Sequence, residues 1–157
     1  MTDIRRRVLV GLALERTPGF NYSGNLLGVR FPLTTPDEVQ VAMDGGEYCE
    51  DERGRVDIAA VCLMADVSMG CVVRANLTPS QRLATVSLTL QFTGAELTGA
   101  ITGRGEFESF VDGVDSRQGL CRCTVYAHGR PAIYGQGAFM VMQPPPGISQ
   151  PGVASSV

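Results

Sequence analysis

The clearest pattern along the chain is a long apolar run interrupted by one charge. Between Asp57 and Arg74 the residues read IAAVCLMADVSMGCVV, and Asp66 is the only charged residue among them. Isoleucine, valine, leucine, methionine, cysteine and alanine fall on every side of the helix this run predicts, so burial nearly all round is expected. Asp57 stands where an N-cap would, and the run Asn76 to Pro79 breaks the chain, which places the helix over 57–74. A different period follows. In Leu83 to Phe92, Ala84, Val86, Leu88, Leu90 and Phe92 alternate with Thr85, Ser87, Thr89 and Gln91. That period of two predicts a half-buried antiparallel strand with the first set facing the core.

Weaker signals fill in the remainder. Leu97 to Val111 alternates loosely, with Gly99, Gly103 and Gly105 placed to allow a bend or bulge. Leu120 to Ala127 and Ala132 to Met142 flank His128-Gly129-Arg130-Pro131, a hairpin signal. Nearer the start, Leu26 to Leu33 and Val39 to Met43 read as strands on either side of TTPDE, after a turn-rich TPGFNYSG. Gly45 to Val56 is a polar, acidic loop leading into the apolar helix. Ile4, Val8, Leu9 and Leu12 fit one face of a short amphipathic helix over residues 1–16. From Gln143 the chain predicts a disordered, proline-rich tail over 143–157. The order is helix, two strands, one long helix, four strands. It predicts a single α+β domain over residues 1–142, with an antiparallel sheet of about six strands wrapped around the long helix. Such a sheet leaves an edge or face uncovered, so a homo-oligomer is expected.

Composition narrows the function classes. With 157 residues, 44% apolar and 18% charged, the chain has the make-up of an ordinary globular domain. A net charge of −3 gives no electrostatic reason to expect a nucleic-acid partner. All 13 basic residues are arginine, which excludes Schiff-base chemistry and a P-loop lysine. The five cysteines lack a CxxC spacing and His128 is the only histidine, so no metal site is expected. Cys121 and Cys123 share one face of a strand as small core hydrophobes. Arg5-Arg6-Arg7 precedes an apolar run far shorter than the ~20 residues a membrane span needs. No small-residue cleavage site follows, and a cytoplasmic protein is the expectation.

A carboxylate inside an apolar helix is costly to desolvate unless it is paired or hydrogen-bonded, which marks Asp66 as a candidate catalytic group. The residues around it carry a resemblance. The stretch Asp51 to Phe92 resembles the hotdog-fold acyl-CoA thioesterases of the phenylacetate-degradation type. In that family a loop N-x-x-G-x-x-H-G-G enters the central helix, and an aspartate lies nine residues after the histidine. Here DERGRVDIA (Asp51 to Ala59) takes the place of the loop, and Asp66 lies nine residues after Asp57. Gly54, Asp66 and Thr85 match the family's motif positions. Asp51, Asp57, Ile58 and Ala59 replace its asparagine, histidine and two glycines.

The resemblance implies a hotdog domain, dimeric or a dimer of dimers, hydrolysing an acyl-CoA thioester. Coenzyme A would enter only as part of the substrate, with no resident cofactor. Asp66 would be the general base or nucleophile, meeting the loop of a second copy, and Thr85 would orient it or the attacking water. The amides of Ile58 and Ala59 would stabilise the oxyanion. Asp51 or Asp57, if protonated, could donate a hydrogen bond. Gly54, Arg74 and Arg82 would contact substrate, the arginines through the phosphates. Ordinary readings stand beside these, with Asp57 a plain N-cap and Arg74 and Arg82 solvated surface. A second reading of the whole is a non-hydrolytic hotdog module that binds acyl-CoA or a related ligand.

Overall fold

A computed structural model of the chain describes residues 3–14, 22–44, 46, 49–114 and 116–143. The expected proline-rich tail lies, from residue 144 onward, outside the described residues, as does the chain from 15 to 21. The long apolar run forms α3 (Ile58–Arg74), the element around which the others are arranged. Asp57 adopts an extended backbone and its carboxylate accepts the N–H of Ala59 at 2.7 Å, which starts the helix at the expected place. The helix ends at Ala75, whose N–H bonds the carbonyl of Cys71.

Six strands form one antiparallel sheet: β1 (Arg30–Thr34), β2 (Glu38–Met43), β3 (Arg82–Phe92), β4 (Ile101–Asp112), β5 (Arg117–Ala127) and β6 (Arg130–Met142). Their spatial order is β1-β2-β4-β5-β6-β3, so α3 carries the chain from one side of the sheet to the opposite edge. α3 packs on β2, β4 and β5, where Val61, Met64, Met69, Val72 and Val125 are wholly buried. Each such side chain contributes roughly 1.5–3 kcal/mol of transfer free energy. Backbone lies against backbone at the centre. A Cβ on Gly105 would run into the carbonyl of Ser68, and one on Gly119 into the side chain of Val73. The glycines of β4 therefore serve close approach rather than a bend. The β5–β6 turn is the expected hairpin, with His128 and Gly129 both at positive φ, as a two-residue type I′ turn requires.

Three expectations need correction. The strand expected over 26–33 begins only at Arg30, because Tyr22–Leu27 form a short helix, α2, closed by Gly28 at φ +68. The amphipathic helix appears as α1 (Asp3–Leu14), whose Arg7 donates to the carbonyl of Leu26 on α2. The unbroken alternation of β3 also fails. Thr85 pairs with Phe139 and Ser87 with Ala138, so Val86 is a bulge residue. Parity reverses there: Leu83 packs on the core before the bulge, Leu88 and Leu90 after it, while Ala84 is exposed and Val86 is 50% exposed. A second bulge between Phe107 and Ser109 in β4 falls at nearly the same level across the sheet, and the two together curl it around α3. Lastly, α3 is not covered all round. Ile58 is 59% exposed, Ala59 is exposed, and Cys62, Leu63, Asp66 and Gly70 are half-buried.

Candidate active site

The uncovered stripe of α3 holds the site. Residues 59, 63, 66 and 70 recur at helical spacing and face away from the sheet centre. Asp66 lies in the middle of this stripe, and β3 crosses beside it. Thr85 donates its hydroxyl to Oδ1 of Asp66 at 3.0 Å. The Val86 bulge accounts for this pairing, since in a strand of unbroken alternation Thr85 would share the outward side of Ser87 and Thr89. This hydrogen bond fixes the carboxylate rotamer and leaves Oδ2 without a protein donor among the described residues. The sequence pointed to both residues; the structure brings them together.

The start of α3 is arranged differently. The Ala59 N–H, an expected oxyanion donor, is taken by Asp57, while no described acceptor bonds the N–H of Ile58. Along the axis, Ala59 and Asp66 are separated by roughly 10 Å at 1.5 Å per residue. No single carbonyl group reaches both within one chain. Against this first turn lies a cavity of about 320 Å³, walled by Leu26 and Leu27 of α2 and by Ala59, Ala60 and Leu63 of α3. Cys49, Ser23 and Asp57 complete its lining. Sequence reasoning missed α2 and hence this cavity. The available signal was Gly28 directly after Leu26-Leu27, a helix stop of the left-handed kind.

The other expected residues serve the scaffold. Asp51 closes a small hairpin: its carboxylate accepts the N–H groups of Arg53 and Arg55 and the Arg55 side chain at 2.8 Å. The backbone N–H of Arg55 and then its side chain hold the Asp51 carboxyl below its ordinary value of 3.8, so it is not the protonated donor considered above. Gly54 sits at φ +73 in the same turn, with open space where a Cβ would be, so its backbone conformation accounts for it. The guanidinium of Arg74 donates to the carbonyls of Thr78, Pro79 and Gln81, fastening the loop that follows α3. Arg82 is exposed at the start of β3. His128 bonds Thr98 through Nε2 at 2.6 Å. Cysteine nucleophiles are disfavoured. Burial, with the charge of Asp66 behind it, pushes Cys71 up to about 11, and burial then Asp57 raises Cys62. Cys121 and Cys123 are core residues, as expected, pushed up to about 12 and about 11 chiefly by burial.

No known family profile matches the sequence, and no curated protein matches it either. Solved structures do match. A mutant of thioesterase PA1618 from Pseudomonas aeruginosa superposes with a TM-score of 0.66 at 12% identity, over 91% of this chain and 96% of that one. Thioesterase HI1161 from Haemophilus influenzae gives 0.66 at 8% identity, over 85% and 88%. A mutant of thioesterase SAV0944 from Staphylococcus aureus gives 0.66 at 8%, over 79% and 100%. Six antiparallel strands around one long helix, matched over nearly whole chains, decide the architecture. The chain has the hotdog fold. In hotdog terms α3 is the central helix, and β3 is a sheet edge with one side unpaired among the described residues.

Proposed function

We propose that this chain is an acyl-CoA thioesterase whose site is shared between two copies. The observation that carries the reading is the hydrogen bond between Thr85 and Asp66, on an open stripe of α3 beside an unpaired edge strand. An eleven-residue edge with exposed apolar residues such as Val86 and Phe92 is a template for pairing with another copy. So is a helix that is apolar all round yet half uncovered on one side. Two-fold pairing at β3 sets Asp66 of one protomer against the first turn of its partner's α3, which removes the separation of roughly 10 Å within a chain.

In this arrangement Oδ2 of Asp66 takes a proton from a water as that water's oxygen bonds to the thioester carbonyl carbon. The Thr85 hydroxyl on Oδ1 orients the carboxylate, and the Ile58 amide at the helix start receives the negative charge on the carbonyl oxygen. The intermediate collapses with cleavage of the C–S bond, and the departing thiolate takes the proton back from Asp66. The acyl group rests in the leucine-walled cavity, whose volume lies at the small end of ligand pockets. Arg82 is left as the candidate for coenzyme A phosphates, since Arg74 is engaged by backbone carbonyls. The test is a panel of acyl-CoA thioesters with a thiol-detecting reagent. Thiol release by the wild type that survives Asp66→Ala would remove Asp66 from the mechanism, and no turnover on any ester would remove the hydrolase reading. One observation favours the second reading, a module that binds acyl-CoA without hydrolysis: Asp57 already occupies the Ala59 amide. Saturable binding without thiol release would select it.

A further inference from the structure

The cavity at the start of α3 has one charged wall. Leu26, Leu27, Ala59, Ala60 and Leu63 give it apolar sides, and Asp57 is the single ionisable oxygen acid among its lining residues. No arginine or histidine lines it. Of the arginines of the neighbouring segments, Arg55 is paired with Asp51, while Arg7 donates to the carbonyl of Leu26 behind the lining, where its charge reaches Cys49. Asp57 is also held in place, because Oδ1 bonds the Ala59 N–H at 2.7 Å, while Oδ2 has no hydrogen-bond partner among the described residues.

We propose that Asp57 determines the specificity of this cavity, admitting uncharged acyl groups and refusing those that end in a carboxylate. The proposal rests on the acyl-CoA reading above and names the substrate class of that site. An alkyl group gains apolar contact with the leucines and costs Asp57 little. A terminal carboxylate of the same length would stand near a fixed like charge, with apolar side chains on the other sides and no cation among the lining residues. Refusal by a placed charge is a recognised way to separate ligands of equal size.

Hexanoyl-CoA and adipoyl-CoA differ by one terminal carboxylate at equal carbon number, and they make the comparison. Hydrolysis rates and the dissociation constants of their non-hydrolysable thioether analogues are measured for the wild type, Asp57→Asn and Asp57→Ser. Both variants keep a side chain able to cap α3. The wild type should favour the hexanoyl compound by on the order of tenfold or more, and both variants should lose most of that preference through better binding of the adipoyl compound. An unchanged ratio in both variants, or a wild type without preference, overturns the role of Asp57. Discrimination in binding with no thiol release refutes the hydrolase and leaves the assignment of Asp57 standing. Thiol release with an unaltered ratio does the reverse, and a wild type that binds neither compound overturns both.

Discussion

Asp57 and Asp66 belong to the same helix, nine residues apart, and the fold treats them in opposite ways. Asp57 is bonded within its own turn, to an N–H two residues on. Asp66 is bonded across the structure, to a hydroxyl nineteen residues away on another element. The first contact would exist in an isolated peptide; the second exists only when β3 lies in its bulged register beside α3. A local bond explains a carboxylate by itself. A bond that depends on the whole fold, made by a carboxylate in an apolar stripe, calls for a reason beyond helix formation. That difference is why we assign chemistry to Asp66 and selectivity to Asp57.

The contrast can be broken at several points. Asp66→Asn keeps size and can keep the Thr85 contact, yet it removes the proposed base; thiol release should fall by on the order of 10²–10⁴-fold with the circular dichroism spectrum unchanged. Gly105→Ala pushes a methyl group at the Ser68 carbonyl and should cost about 1–3 kcal/mol in urea denaturation, because α3 must lift from the sheet. Thr85→Val leaves the carboxylate in place but unoriented. We expect kcat to fall about tenfold and Thr85→Ser to restore it. Asp57→Ala loses the cap and should lower stability by about 1 kcal/mol, whereas Asp57→Asn should hardly change it.

The smallest effect concerns Asp51. Its carboxyl is held below its ordinary value in the folded chain, so it favours folding above that value and loses the effect as pH falls through the depressed one. Acidification below the usual carboxylate range should therefore open the hairpin first. Amide exchange at Arg53 and Arg55 should quicken there while α3 stays protected.

Much of this was legible in the residues. The helix over 57–74 could be read because Asp57 marks the change from a polar loop to an apolar run, and caps act locally. The sheet of about six strands around one helix followed from period and order, and the hotdog architecture from the family resemblance of Asp51 to Phe92. Thr85 and Asp66 were visible as separate candidates, but their contact was not. It depends on the Val86 bulge, and the composition of β3 continues its alternation straight through that point. α2 was hidden by its length, since six residues cannot display a helical period. The roles given to Asp51 and Arg74 went astray for a related reason. Each is satisfied by backbone groups of a turn, and a sequence does not display where turn carbonyls and amides point. The open stripe of α3 was unreadable because an apolar helix looks alike whether its own sheet or a second chain covers it.

The seating of α3 on Gly105 has a consequence for how this protein can vary. A helix propped on side chains rises or sinks as those side chains change. At Gly105 this one meets the main chain of Ser68, so its height there is set by backbone atoms that a substitution elsewhere leaves alone. Drift in core side chains away from this contact can alter stability while the reach from Asp66 to Thr85 is kept. The geometry of the site is thus insulated from the turnover of its own core.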